Sequence, residues 1–427
     1  YWHPKSFQAQ LQMKRSSSGP RYSKKKEQTG KKRHKSSGSF SHHDGFQIKH
    51  VVVVMMENRS FDNMLGYLWN TNRSPKGAKV DGVFGKKLYN IRSDTGKKVM
   101  VGRVRKKNST ICPTVDPGEP FLRIFQQMYN KPYDSKKGYP PKGSPAAPMS
   151  GFLNDFIIAH NMEHSKTTPS NVNQIMHCFT PEQLPVINTL AKEYAVFDRW
   201  FCSVPSQTFC NRYFVSTGQS YGWTDNGDSH PAQEYPLWPL HRPAKTIYRA
   251  LEEKGLKWKI YTSQYLVNNK PFNLSFEMFL HYRDLMEYGD NVATIKGFKE
   301  DCANGTLPSY SFVEPRLFLQ HNDYHPPTNM LYGEDFLKVI YEAVRNGKHW
   351  EDTLLIITFD EAGGTYDHVS PPWTVSPDEH SDKNGEYGFK FNRCGVRVPT
   401  IMISPYINQG TVISDVFDHC AILKSMS

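Results

Sequence analysis

His50-Val51-Val52-Val53-Val54-Met55-Met56-Glu57-Asn58-Arg59-Ser60-Phe61-Asp62 is the stretch on which the fold turns. From Val51 to Met56 it is an unbroken apolar run, rich in β-branched residues. Such a run is too short to span a bilayer and reads as a strand buried on both faces. It stops abruptly at Glu57-Asn58. A carboxylate and an amide directly after a buried strand stand where open α/β sheets keep their ligands, outside the carboxyl ends of the strands. Any strand is followed by a polar loop, but the polar cluster over residues 57–62 is denser than a loop needs.

A second apolar run, Thr353-Leu354-Leu355-Ile356-Ile357-Thr358-Phe359, ends the same way, on Asp360-Glu361-Ala362-Gly363-Gly364. If both strands run parallel in one sheet, their polar ends converge at one edge. Three carboxylates gathered there repel one another unless a cation neutralises them. An oxygen-only ligand set of Glu57, Asn58, Asp360 and Glu361 suits a divalent cation such as Mg, Ca or Mn. The alternative is a pair of unrelated loops.

The rest of the chain alternates helical and strand patterns. A helix is predicted over residues 121–129. Another is predicted over 180–194, with Thr180 as N-cap, Pro181 at the first helical position and Gln183 completing a capping box. Strands are predicted over 195–201, 258–261 and 398–404, and helices over 245–255 and 336–347. Helices alternating with buried strands predict an α/β layered domain with a mostly parallel sheet. Residues 69–150, rich in Gly, Pro and Lys, read as a long excursion over the domain surface.

The net charge of +12 is unevenly spread. Residues 5–35 hold eleven Lys or Arg against one acid, Glu27, so the remaining chain is nearly neutral. Residues 1–47 therefore read as a disordered polybasic tail, suited to an anionic membrane surface. No aromatic interleaving supports nucleic-acid recognition. Residues 48–427 read as the catalytic domain. Seven cysteines without CxxC spacing exclude a zinc framework and leave disulfides open.

Hydrolysis at a cation needs a nucleophile. Thr208 falls at a strand-to-helix turn, where N–H groups favour an oxyanion, although such a residue is commonly just an N-cap. Asn211 and Arg212 follow within a turn, and an arginine there suits either a phosphate or an acid. His325, in Asn322-Asp323-Tyr324-His325-Pro326, suits a general acid; His368 follows the second acidic pair closely.

Taken together these blocks resemble the phosphoesterase family that contains the non-specific phospholipases C and a group of acid phosphatases. The resemblance rests on four blocks. They are Glu57-Asn58-Arg59-Ser60-Phe61-Asp62; Pro205-Ser206-Gln207-Thr208-Phe209-Cys210-Asn211-Arg212; Val313-Glu314-Pro315-Arg316 with Asn322 to Pro326; and Asp360-Glu361-Ala362-Gly363-Gly364-Thr365-Tyr366-Asp367-His368-Val369. The resemblance implies an alkaline-phosphatase-like, three-layer α/β/α fold with a mostly parallel central sheet. It implies a catalytic centre of Thr208, His325, Glu57 and Asn58, with a divalent cation on Glu57, Asn58, Asp360 and Glu361. It also implies phosphate contacts from Asn211, Arg212 and His368. The implied reaction is phosphoester hydrolysis through a phosphothreonyl intermediate, with a phospholipid as substrate; a small phosphomonoester is the alternative, and an inactive membrane-binding relative a further one. Cys210 stands where the family usually has Pro, and Ala362 where many members have His. The family usually continues beyond the position of Ser427, which implies a further C-terminal part.

Overall fold

In the computed structural model the described residues are 48–105, 110–163, 172–220, 222–226, 245–263, 290–317, 320–376 and 386–426. The expected tail, 1–47, lies outside them. Eight strands form the central sheet: β1 His50–Met56, β2 Ala195–Phe197, β3 Trp258–Thr262, β4 Val292–Thr294, β5 Tyr310–Glu314, β6 Thr353–Phe359, β7 Thr400–Ile403 and β8 Thr411–Ile413. Their order across the sheet is β8-β2-β7-β6-β1-β5-β3-β4.

β1 lies at the centre because nothing in it resists burial. Val52 to Met56 are fully buried, which requires cover on both faces of the sheet. β1 pairs in parallel with β6, from His50 opposite Thr353 to Met56 opposite Phe359, and in parallel with β5 on its other side. The mixed α/β class with a mostly parallel sheet is as the apolar runs predict. β7 departs from it, running antiparallel to both β6 and β2. Its four residues carry no mark of direction, which is set by the path of the chain into the strand.

Other expectations shift at their edges. The 121–129 helix is present as Phe121–Tyr129. The helix predicted over 180–194 spans only Pro185–Glu193. Gln183 Oε1 does accept from the Thr180 N–H, at 3.0 Å, but this closes a turn ahead of the helix. Proline at the first position is Pro185, whose missing N–H costs nothing there. The next donors are capped from afar: the carboxylate of Glu334, on the Met330–Asn346 helix, accepts from the Val186 N–H at 2.5 Å and the Ile187 N–H at 3.3 Å.

The 69–150 segment is not merely a surface excursion. Val80, Val104 and Cys112 pack into the main core, while Ile124, Met128 and Met149 build a second cluster with Phe152, Ala362 and Tyr366. The segment thus covers the edge where the polar strand ends emerge. All seven cysteines are free thiols, six of them buried. Among the described residues no helix is long and apolar enough to cross a membrane.

Candidate active site

Three adjacent parallel strands, β6, β1 and β5, each finish at a carboxylate: Asp360, Glu57 and Glu314. Because the strands run together, the three groups arrive at one edge, and all are buried. Asp360 N–H donates to Met56 O at 3.1 Å and Asn58 N–H to Asp360 Oδ1 at 3.3 Å, so the two strand ends are laced beyond the sheet. Asn58 adopts a left-handed backbone, φ 56°, a conformation asparagine tolerates better than most residues. It turns the chain sharply under the loop at Gly363. A Cβ on Gly363 (φ +59°) would sit 2.1 Å from Asn58 O, so only glycine permits the two loops to touch.

The charge that reconciles these carboxylates is in the chain itself. Arg212 lies buried among them: Nε donates to Asp360 Oδ2 at 3.2 Å, Nη1 to Glu314 Oε1 at 2.7 Å, and Nη2 to Glu57 Oε1. Burial works against the charge on Arg212, but Glu57, Asp360 and Glu314 outweigh it and keep the guanidinium protonated. A cation is thus not the sole answer to the repulsion expected from sequence. One guanidinium does not balance everything. Burial, then Asp360, pushes the Glu57 carboxyl well above its ordinary range against the pull of Arg212. Burial, then Glu119 and Asp360, does the same to Glu361.

Two buried oxygens in this group, Asn58 Oδ1 and Glu361 Oε1, have no hydrogen-bond partner. A buried acceptor without a donor is costly, and a hard divalent cation satisfies such oxygens well. The donor set therefore fits the cation expected there. Glu57, Asp360 and Glu361 nevertheless do not close to a single point. Among the described residues, the acid and histidine groups whose ligand atoms all lie within 4.8 Å of one another are Asp116/Glu119/His325, Asp62/Asp367/His368 and His50/His349/Asp352.

Thr208 reaches the same edge from the other side. It is the first residue of the Thr208–Thr217 helix, with Gln207 as the N-cap residue, so it is not the cap itself. Its hydroxyl donates to Glu57 Oε2 at 3.4 Å. Asn211 fixes that approach. Its Nδ2 donates to Val204 O, Ser206 O and Gln207 O at 3.2, 3.0 and 3.2 Å, and its Oδ1 accepts from the Val204 N–H at 3.0 Å. The Asn211 amide is thus committed to the turn before Thr208 and fixes the start of its helix. Arg212 is likewise engaged by carboxylates instead of open to phosphate.

His325 sits beside this group on the segment after β5. Asp323 O accepts from the Glu57 N–H at 3.0 Å, which ties the segment to the end of β1. His325 Nδ1 donates to Pro326 O at 2.6 Å, leaving Nε2 to face Glu119 Oε1 at 3.5 Å. Burial lowers the imidazole, but Glu119 and Asp116 outweigh it and raise it to about 9.

His368 belongs to a different cluster. Its Nδ1 donates to Asp62 Oδ2 at 2.5 Å and its Nε2 lies 3.1 Å from Asp81 Oδ1. Arg397 binds the same cluster, with Nη2 on Asp62 Oδ1 at 2.9 Å and Nε on Asp367 Oδ1 at 3.0 Å. Its Nη1 donates to the backbone oxygens of Asp81 and Asp198. The structure thus gathers Glu57, Asn58, Thr208, His325, Asp360 and Glu361 in one region and sets His368 apart, as a structural partner of Asp62.

Sequence reasoning missed Glu314, Glu119 and His419. Glu314 had a signal, being a third carboxylate directly after an apolar strand pattern. Buried His419 donates from Nε2 to Asp360 O at 2.7 Å while Nδ1 accepts from Trp200 Nε1 at 3.3 Å. No local pattern marks that contact, nor Glu119 within Pro117-Gly118-Glu119-Pro120.

The Phosphoesterase family model matches residues 48–427. Non-specific phospholipase C6 of Arabidopsis thaliana is 36% identical over 393 residues, covering 88% of this chain and 65% of the plant protein. Non-specific phospholipase C1 of the same plant is 36% identical, with 86% and 62% covered. Phospholipase C B of Mycobacterium tuberculosis strain H37Rv is 28% identical, with 88% and 72% covered. The chain thus spans just under two thirds of the plant relatives it matches. Among solved structures, a protein of the alkaline phosphatase superfamily from Vibrio parahaemolyticus aligns with a TM-score of 0.32 at 12% identity, over 57% of this chain and 59% of its own.

Proposed function

The chain belongs to the Phosphoesterase family, and from that premise we propose that it hydrolyses a phosphoester in the manner of a phospholipase C. The observation that carries this reading is the Thr208 hydroxyl held at a helix start, 3.4 Å from Glu57 Oε2, beside the converged strand ends. Thr208 Oγ1 attacks phosphorus, forming a phosphothreonyl enzyme as the bond from phosphorus to the leaving oxygen breaks. The hydroxyl proton passes to Glu57. His325, held protonated by its acidic neighbours, gives a proton to the departing alkoxide. Water then gives a proton to His325 as it attacks phosphorus, Thr208 leaves and takes back its proton from Glu57, and the phosphorylated product is freed.

Glu57, Asn58, Asp360 and Glu361 would hold a divalent cation of the Mg, Ca or Mn kind, which supplies charge to the phosphoryl oxygens. Arg212 keeps three of the surrounding carboxylates in place, and Asn211 keeps Thr208 aimed. A phospholipid is the proposed substrate. It yields diacylglycerol and a phosphorylated head group.

The test is to incubate the purified protein, with divalent ions, with phosphatidylcholine vesicles and separately with an aryl phosphate. Release of phosphocholine supports the phospholipase. Turnover of the aryl ester alone makes the protein a phosphatase, and turnover of neither leaves a binding protein. The polybasic segment 1–47 is proposed to add affinity for anionic vesicles at low salt; equal binding after its deletion rejects that role.

A further inference from the structure

We infer that Glu119 is a positioning residue of this site, one carboxyl oxygen of which sets both the Asn58 amide and the His325 imidazole. The inference deepens the phosphoesterase reading and rests on it. Glu119 Oε1 accepts from Asn58 Nδ2 at 2.5 Å and lies 3.5 Å from His325 Nε2. The two groups it touches come from different strand ends, Asn58 after β1 and His325 after β5. Glu119 joins them from a third place in the chain.

The amide contact decides which way Asn58 faces. Burial raises Glu119 to about 8 against the pull of His325; in its ionised form it accepts hydrogen bonds and donates none, so the nitrogen of Asn58 points to it. The amide oxygen is then turned the other way, and that oxygen is the buried acceptor without a partner. Reversing the amide would set its oxygen against the Glu119 carboxylate. Glu119 thus selects the orientation in which Asn58 offers an oxygen to a cation, as the outer partners of metal ligands do. The histidine contact works in parallel. Pro326 O occupies Nδ1 at 2.6 Å, so Nε2 is the nitrogen that Glu119 addresses. Asp116 adds a second acid, 3.9 Å from Nδ1.

The loop is built to hold Glu119 still. Gln127 Nε2 donates to Gly118 O at 2.6 Å and to Asp155 Oδ2 at 2.8 Å. The Phe121 N–H, at the start of the following helix, donates to Asp225 Oδ1 at 2.8 Å. A Cβ at Gly118 would fall 2.6 Å from Arg123 Nε, so the turn packs closely on the helix it precedes.

Two substitutions separate the two contacts. Glu119→Gln keeps an acceptor oxygen for the Asn58 amide and removes the charge facing His325. Glu119→Ala removes both; Glu119→Leu, nearer in volume, replaces it if the alanine variant does not fold. Mn²⁺ affinity is measured by electron paramagnetic resonance or calorimetry, and turnover separately on the best ester. Glu119→Gln should bind Mn²⁺ within about 3-fold of the parent, while kcat falls by about 10²-fold with little change in KM. Glu119→Ala or Leu should lose about 10- to 100-fold in Mn²⁺ affinity as well. Asn58→Ala in the same background should add no further loss. Unchanged Mn²⁺ binding in Glu119→Ala or Leu, or additive losses with Asn58→Ala, overturns the amide role. Unchanged kcat in Glu119→Gln overturns the histidine role. A parent protein that does not bind Mn²⁺ at all also overturns the amide role. Failure of the parent to hydrolyse any ester, with Mn²⁺ bound, rejects the proposed function and leaves the amide role readable from affinity alone.

Discussion

Glu57 and Asp62 stand on either side of the same short loop, both buried and both beside a buried arginine, yet they live in opposite conditions. Around Asp62, donors and acceptors match: Arg397 and His368 occupy both its oxygens, and no buried polar atom of Asp62, Asp367, His368 or Arg397 lacks a partner. Around Glu57 they do not match. Three carboxylates share Arg212, two more buried acids press on them, and Asn58 Oδ1 and Glu361 Oε1 are left open. Burial tends to raise Asp62, but His368 and then Arg397 outweigh it and bring its pKa down. Glu57 goes the other way, pushed up by burial and Asp360. The matched cluster holds the loops together; the unmatched one keeps buried oxygens that no donor of the chain satisfies. Composition does not separate the two. Saturation of their hydrogen bonds does.

The largest effect expected is on the unmatched side. Thr208→Ala should lower turnover by on the order of 10⁴- to 10⁶-fold with the melting temperature unchanged. Near-parental turnover would remove the covalent route and with it the contrast between the two clusters. On the matched side, Arg397→Met leaves Asp62 and Asp367 buried without their cation. It should cost about 3–5 kcal/mol in urea unfolding. A loss below about 1 kcal/mol would mean that the second cluster is not the structural one.

Next in size is a pH dependence of stability. Burial lowers His368, but Asp62 and Asp81 outweigh it and raise its pKa from an ordinary 6.5 to about 9. The folded state therefore holds this proton more tightly than the unfolded chain. Its contribution is complete below pH 6.5 and is lost as the pH climbs through about 9, an effect of about 1–3 kcal/mol. Melting curves between pH 6 and about 9.5 should show the decline, and His368→Gln should flatten it. The smallest effect has the opposite sign. Glu361→Gln relieves repulsion among the buried acids, so without divalent ions it should raise stability by about 1 kcal/mol while activity falls. A variant that is both less stable and fully active would erase the contrast between the two clusters.

Much of this arrangement is legible in the chain. β1 and β6 announce themselves because a strand buried on both faces must be apolar at every position, and each is followed at once by acids. Their parallel pairing is what brings Asn58 and Asp360 together. What stays hidden is anything decided across the sheet. The use of Arg212 depends on Glu314 lying next to Glu57 in space. His368 follows the second acidic pair by only a few residues, yet its ring points to Asp62 and Asp81, away from Glu57. Glu119 is lost in a Pro-Gly turn whose composition resembles that of any exposed loop, although the segment carrying it reaches the core.

The pairing of β1 with β6 also has a consequence in time. Asn58 and Asp360 are 302 positions apart, and at roughly 5–20 residues per second a ribosome needs roughly 15–60 s to make the intervening chain. Throughout that interval the first half of the site is already synthesised while β6, its hydrogen-bonding neighbour, has yet to be made. No amino-terminal fragment ending before β6 can hold the assembled centre. Assembly of the centre is thus a late event of synthesis, since Asp360 and Glu361 join Glu57 and Asn58 only once β6 has been made.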